Sequence, residues 1–458
     1  MTDEDLSESV KLSSVKGTRS VMKFALPSIL MMVLTSSYVM VDGLMISNLI
    51  NTDALAGANL TMPLFSILTA IGFMFATGGS AWVSRKMGQG LMKEANSDFT
   101  LIILFALFLG ILFTVIGFIF IDPLVELIGA DDVLRPYTKN YLEVNMIFFT
   151  CFIIQFIASQ FLVVAGKPMM SLFLAIVAGV VNIVFDYILI LFFDMGVAGA
   201  ALASGLSALI PCLVSMIIFM RKKSEIRFSK PSMDMHVIIS SAYNGMSEMV
   251  SEISASISSL AFNLVMMHYI GPDGVSAITV IMYVQFLALA VIIGYSMGVA
   301  PVMGYNYGKG DRENMSSLYR TSMFFVILFS LSIFIIMELF GQYFVRLFDT
   351  GNLDLRDIAV YGISIHSFAY LVMGINLYAS SLFTSLSDGL RSAIISSLRG
   401  LIILVPMIVL LPMIFGVEGI WLAIPVTDFI TVIVTVHLLR TQSDRYGYSN
   451  LVRFNLSK

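Results

Sequence analysis

Charged residues are scarce in this chain, where they make up 12% of 458 residues. A soluble domain carries about 25% charged residues, so a soluble protein of this length would lack the charge to cover its surface. Cysteine is almost absent as well: Cys151 and Cys212 both lie in apolar runs. They allow one disulfide at most and form no zinc or redox motif. The four histidines are scattered and give no metal-binding cluster.

Signatures of nucleotide and nucleic-acid binding are missing too. The sequence has no phosphate-binding loop of the Gly-x-x-x-x-Gly-Lys type. Its net charge is -4 and it contains no basic tract. We therefore expect no nucleotide, no nucleic acid, no cofactor and no enzymatic activity.

Long apolar runs fill the sequence instead, and 58% of the residues are apolar. A bilayer core needs about 20 mostly apolar residues per helix. Breaks at glycine, proline and charged clusters predict twelve such helices, so the expected fold class is an all-α polytopic membrane protein. The first run is too long for a secretory signal. The predicted helices span 21–49, 55–84, 98–120, 136–164, 169–193, 197–220, 236–268, 274–303, 317–343, 357–386, 392–415 and 419–439.

Lysine and arginine concentrate on one side of the predicted helix bundle. All but four of the 26 basic residues fall in the two tails and in alternate loops. The exceptions are Arg135, Lys139, Arg346 and Arg356. Because cytosolic loops are rich in lysine and arginine, we expect a multi-pass protein of the cell (plasma or inner) membrane with both termini cytosolic.

The two halves of the chain repeat each other at an offset of about 220 positions. Gly78 pairs with Gly298 and Gly88 with Gly308, and Gly196-Val197 pairs with Gly416-Val417. Six helices per half place both halves in the same orientation, a plan in which transporters bind substrate between halves. The expected divisions are a tail (1–20), an N-terminal lobe (21–220), a linker (221–235), a C-terminal lobe (236–440) and a second tail (441–458).

Carboxylates within the apolar runs are the first candidates for chemistry, because each costs about 2.5–3.5 kcal/mol near a helix centre. Asn182 and Asp186 are four residues apart and share a helix face, as do Tyr38 and Asp42. A carboxylate beside an amide oxygen suits Na+ or an exchangeable proton, and Ser204 adds a further oxygen. Asp186 serving only as a hydrogen-bond partner within the fold is the alternative.

Further acidic groups favour a substrate cavity. Glu248 and Glu252 repeat the four-residue spacing on a helix rich in serine, which suits cationic substrates. Asp428 lies on the last predicted helix, and with Tyr38 it completes the candidate cavity residues. We expect no lysine or arginine at the centre of any predicted helix, and Arg399 is assigned to a cytosolic loop.

Seven segments carry a likeness to a known family through their order and spacing over residues 21–440. The segments are Phe24-Ala25-Leu26-Pro27, Ala54-Leu55-Ala56-Gly57-Ala58, Gly78 to Gly88, Ala165-Gly166-Lys167-Pro168, Asn182-x-x-x-Asp186, Gly196 to Ala201, and Gly304-Tyr305-Asn306-Tyr307-Gly308. In these segments the chain resembles the multidrug and toxic compound extrusion (MATE) family.

The resemblance implies two pseudo-twofold-related six-helix lobes around a central cavity. It implies an antiporter that exports organic, often cationic and lipophilic compounds in exchange for H+ or Na+. The family's acidic residue on helix one matches Asp42, and its other site residues match Asn182, Asp186 and Ser204. These four are the expected cation-coupling residues; no fixed metal is expected, and Na+ would be held at the first three of them.

Two departures argue against a coupling site in the C-terminal lobe. A Gly-x-Pro of the family reads Gly245-Met246-Ser247 here, and helix eight has no acidic residue after Asp273. A lipid-linked oligosaccharide flippase of the same broad superfamily remains an alternative, as does a non-transporting membrane scaffold. The expected partners are small organic substrates and membrane lipids, and a monomer would suffice for transport.

Overall fold

The computed structural model describes residues 11–346 and 353–448, without the side chains of 39–44, 47, 48, 52, 353 and 354. Twelve spans make up its helical framework. They are α1 (Gly17–Leu49), α2 (Met62–Gly88), α3 (Met92–Ile119), α4 (Arg135–Ile147 and Phe149–Val164), α5 (Pro168–Phe192), α6 (Gly196–Met220), α7 (Met235–Tyr269), α8 (Pro272–Lys309), α9 (Arg312–Arg346), α10 (Leu355–Ser385), α11 (Gly389–Phe415) and α12 (Val417–Tyr446).

Eleven of these helices are long and apolar enough to cross a membrane by themselves within the described residues. The twelfth is α4, whose two parts meet at a bend of 55°. The fold class predicted from the sequence is confirmed. The helix predicted over 55–84 is instead two helices, Thr52–Leu60 and α2. Pro63 explains the break, because its nitrogen cannot donate to a carbonyl one turn earlier.

The twelve helices form two six-helix lobes, the first from α1–α6 and the second from α7–α12. Aromatic contacts reproduce the 220-residue repeat. Phe99 of α3 stacks on Phe228 at 5.4 Å between ring centroids, and Tyr319 of α9 packs on Tyr448 at 4.6 Å. Each pair joins the third helix of a lobe to the segment that follows its sixth helix. The repeat is therefore one of packing as well as of sequence.

The segment between the lobes, residues 221–234, is held to the start of α3. The backbone N–H of Arg227 donates to the Asn96 side chain at 2.8 Å, and that of Ser229 donates to Thr100 Oγ1 at 3.0 Å. Ser232 Oγ donates to the buried Asp98 carboxylate at 3.0 Å. Burial raises the pKa of the Glu225 carboxyl in this segment, and the charge of Lys11 offsets part of the shift. These bonds make the linker a packed part of the first lobe.

The lobes meet through glycines, and one reciprocal pair of contacts lies near the face that holds the start of α1, the linker and the end of α12. We call this the terminal face. A methyl group on Gly88 would lie 1.9 Å from the carbonyl oxygen of Tyr305, and one on Gly308 would lie 2.0 Å from that of Arg85. These contacts are related by the 220-residue repeat. They bring the backbones of α2 and α8 into contact, as small residues do between membrane helices.

The same close approach joins α2 to α7. A methyl group on Gly78 would lie 2.0 Å from the carbonyl oxygen of Ser241 and 2.5 Å from the nitrogen of Gly245. One on Gly245 would lie 1.9 Å from the carbonyl oxygen of Met74. The neighbouring Gly79 differs, because its added methyl would meet only side chains, with Ile102 nearest at 3.1 Å.

We expect Gly78→Ala to lower the thermal stability of the protein, because the methyl group must push α7 away from α2. Overpacking of this kind costs about 1–3 kcal/mol. Gly79→Ala is the matched control, since alanine also improves helix propensity by about 1 kcal/mol relative to glycine. The measurement is the Tm of each purified variant in detergent. Equal Tm values for the two variants would contradict the close interlobe contact.

Candidate functional site

The polar site of the first lobe lies between α5 and α6. Asp186 is completely buried and Asn182, one turn earlier on α5, is 1% exposed. Asn182 Nδ2 donates to Ser204 Oγ of α6 at 3.3 Å. The structure therefore brings three of the predicted coupling residues into one lobe interior. Carboxylate, carboxamide and hydroxyl oxygens are the ligands that a hard cation such as Na+ prefers.

Helix α1 contributes a third side to this site. The Tyr38 ring lies 3.6 Å from the position that a Cβ on Gly179 of α5 would occupy. Gly179 is one turn before Asn182, so Tyr38 packs beside the polar face of α5. The side chain of Asp42, one turn further along α1, lies outside the described residues. Its predicted part in cation coupling stays a prediction.

The helix carrying Asp186 changes geometry directly after it. Residues Ile188–Phe192 form a π-helical turn. In the second lobe, α11 contains a π-helical turn at Leu398–Ile402. Such turns are rare and often occur at functional sites. Both lobes therefore have one in the fifth helix, next to a buried carboxylate.

Glu248 and Glu252 lie half-buried on α7. Gly245 of α7 contacts Met74 of α2, while Ser247 forms a hydrogen bond of 3.1 Å with Thr384 of α10. The two glutamates project between these contacts around the helix, so they face the seam between the lobes. Their predicted part in lining a substrate cavity stays a prediction.

Asp428 lies inside the second lobe, where it is 1% exposed. Its Oδ1 atom accepts from Arg399 Nε at 2.8 Å and from Asn376 Nδ2 at 3.0 Å. Asn376 Oδ1 in turn accepts from Thr435 Oγ1 at 2.8 Å. These four side chains, on α10, α11 and α12, are called the second-lobe cluster.

The position of Arg399 corrects the expectation that helix centres hold no basic residue. The sequence predicts a loop position for it, but it lies ten residues into α11, about 15 Å along the helix axis at 1.5 Å per residue. The loop assignment relies on the position of arginine along the chain. It cannot show that a carboxylate on another helix pairs with the arginine inside the protein. Asn376 and Thr435 were also missed, since isolated amides and hydroxyls give no signal in an apolar run. In the sequence, only Asp428 points to this cluster, because it is a carboxylate within an apolar run.

Twelve membrane-length helices in two repeated lobes, with carboxylates buried among them, define the parallel-repeat class of helical membrane transporters. The family model MatE matches residues 27–188 and matches again at residues 249–410. The two matches fall one in each lobe and together cover most of the chain. The chain therefore belongs to the MATE family, whose members are transporters and not enzymes.

Curated relatives extend over almost the full length. The multidrug export protein MepA of Staphylococcus aureus (strain MSSA476) is 25% identical over 436 residues, covering 93% of this chain and 94% of the relative. MepA of Staphylococcus saprophyticus is 25% identical over 453 residues, covering 97% of this chain and 98% of the relative.

Solved structures share the fold. A crystal structure of MATE in complex with MaL6 superposes with a TM-score of 0.91 at 20% identity, covering 96% of this chain and 99% of that one. An outward-facing multidrug resistance MATE family transporter of the MOP superfamily superposes with a TM-score of 0.90, with the same identity and coverage. At this level of identity the likeness establishes the fold.

We expect Ser256→Cys to react with a membrane-impermeant maleimide and Ser254→Cys to remain unlabelled. Ser256 is exposed on α7 and donates to Ser66 of α2, whereas Ser254 is 1% exposed and packs against Gly400. Both variants are made with Cys151 and Cys212 replaced by alanine, and labelling is followed by mass shift. Absence of labelling at Ser256→Cys would argue against water between the lobes at this depth, and labelling of Ser254→Cys at the same rate would contradict its burial.

Proposed function

We propose that this protein is a secondary active antiporter that exports organic compounds in exchange for H+ or Na+. The observation that carries the proposal is the fully buried Asp186 beside the Asn182–Ser204 hydrogen bond inside the first lobe. Membership of the MATE family supports it, as do the multidrug export proteins that resemble the chain along its length. The substrates are small organic molecules, often cationic and lipophilic, and no cofactor takes part.

In this proposal Asp186 and Asp42 bind the coupling cation, while Asn182 and Ser204 supply neutral oxygens. Binding of H+ or Na+ neutralises the buried charge and so favours one arrangement of the lobes over the other. Movement of one elementary charge across 100 mV supplies about 2.3 kcal/mol, enough to drive substrate accumulation. The change in lobe arrangement couples the movement of the ion to the release of the substrate.

Alternating access between the lobes completes the proposed cycle. The reciprocal glycine contacts at Gly88 and Gly308 lie at the ends of α2 and α8 on the terminal face, which supports a state closed on that side. Glu248 and Glu252 face the seam and attract a cationic substrate, and Tyr38 adds an aromatic wall near the coupling site. The seam then opens at one face while it is closed at the other.

The proposed placement is a multi-pass protein of the cell membrane with both termini in the cytosol. The terminal face then carries most of the basic residues. The lobes divide at residues 21–220 and 236–440, with the linker 221–235 on the cytosolic side. The protein works as a monomer, since each chain supplies both lobes.

We expect Asp186→Asn to lower gradient-driven efflux by about tenfold or more. The amide of asparagine cannot bind and release a proton, and it carries no negative charge to attract a cation. The measurement is efflux of a fluorescent lipophilic cation from vesicles that hold the purified protein. A proton gradient and a sodium gradient are imposed separately, and the gradient that drives efflux identifies the ion.

Asp131→Asn is the control, because it makes the same substitution at an exposed carboxylate that caps the backbone N–H of Leu134. This variant should transport like the wild type. Wild-type efflux by Asp186→Asn would contradict the assigned coupling site. Absence of efflux by the wild type under both gradients would contradict the proposed activity, and lipid-linked sugars would be the next substrates to test.

A further inference from the structure

The second-lobe cluster has the same neutral groups as the polar site of the first lobe. In the first lobe a carboxylate (Asp186) has a carboxamide (Asn182) and a hydroxyl (Ser204) as companions. In the second lobe the carboxylate is Asp428, and the carboxamide and hydroxyl come from Asn376 and Thr435. The second set also contains the guanidinium of Arg399, which pairs with Asp428.

The neutral members of the cluster are fixed in orientation. Asn376 Nδ2 donates both to the Asp428 carboxylate and to the Asp428 backbone carbonyl, at 3.0 and 3.1 Å. Its carbonyl oxygen accepts from Thr435, which is completely buried. The amide therefore has one orientation, and its N–H groups hold the carboxylate in the position where Arg399 meets it.

Arg399 satisfies the charge of this carboxylate. The ion pair is 2.8 Å long, with the Asp428 side chain 1% exposed and the Arg399 side chain 20% exposed. Helices α7, α10 and α11 pack against α12, and among their described residues Arg399 is the charged group that acts on Asp428. An arginine stays protonated at every physiological pH. The cluster therefore has no net charge.

We propose that Arg399 is a tethered cation, which holds beside Asp428 the place that a soluble H+ or Na+ takes beside Asp186. The inference rests on the antiport function proposed above. It predicts that the second lobe, although it holds a buried carboxylate, contributes no second coupling ion. Each transport cycle then exchanges ions at the first lobe alone.

The first test is Arg399→Gln in the Asp186→Asn background. Removal of the guanidinium leaves a buried carboxylate without its charge partner, so Tm falls. Since binding of a ligand to the folded state stabilises it, raising the Na+ concentration or lowering the pH should then raise Tm. The matched control adds Asp428→Asn, which removes the vacated carboxylate and with it the extra cation dependence.

Two outcomes overturn the inference. One is an equal dependence of Tm on Na+ and pH in the variants with and without Asp428→Asn. The other comes from transport by Arg399→Gln/Asp428→Asn with Asp186 intact, where we expect the wild-type number of ions exchanged per substrate. A fall in that number would make Asp428 a coupling residue. This transport test stays available if the single variant fails to fold.

A failure of the proposed function is distinguishable from these results. If Asp186→Asn alone retains wild-type coupling, the first-lobe assignment is wrong, whatever the Arg399 variants do. If Asp186→Asn abolishes coupling and Arg399→Gln gains no cation dependence, only the tethered cation is wrong. A gain of one exchanged ion per cycle in Arg399→Gln, with Asp186 intact, supports both.

Discussion

The absence of water in a bilayer core is the constraint on which this structure depends. Every polar group placed there must find its partner within the protein. Hydroxyl groups along the helices meet this need locally, as Thr77 does by donating to the carbonyl oxygen of Phe73 at 2.9 Å. Carboxylates cannot, because one helical turn offers them no free donor. Asp186 and Asp428 therefore lie where several helices meet, and these meeting points hold the polar chemistry of each lobe.

The two lobes share one framework and differ in what fills it. The rings of Phe99 and Phe228 correspond to those of Tyr319 and Tyr448, and the glycine contacts at Gly88 and Gly308 are reciprocal. Framework contacts of this kind tolerate little change, because backbones touch there. Side chains in the lobe interiors have more freedom. A carboxylate with neutral companions in one lobe and an ion pair in the other is a difference that leaves the helix packing intact.

The sequence predicts the membrane class, the number of helices and the repeat, because each depends on long apolar runs that bilayer thickness imposes. It also singles out Asn182 and Asp186, since a spacing of four on one helix guarantees a shared face. The Arg399–Asp428 pair was not predicted, because its members are 29 positions apart on different helices. Helix packing decides which helices face each other, and no local pattern of residues in a single sequence predicts it.

The docking of residues 221–234 on α3 has a consequence for where each half of the molecule ends. Phe228 closes the first lobe as Tyr448 closes the second, and both rings lie beyond the end of the sixth helix, Phe228 after Met220 and Tyr448 after Tyr446. The natural joint between the duplicated halves therefore follows Ser232, close to the start of α7. A chain divided at Met220 would separate the first half from its own closing ring, whereas one divided after Ser232 would keep each closing ring with the helices on which it packs.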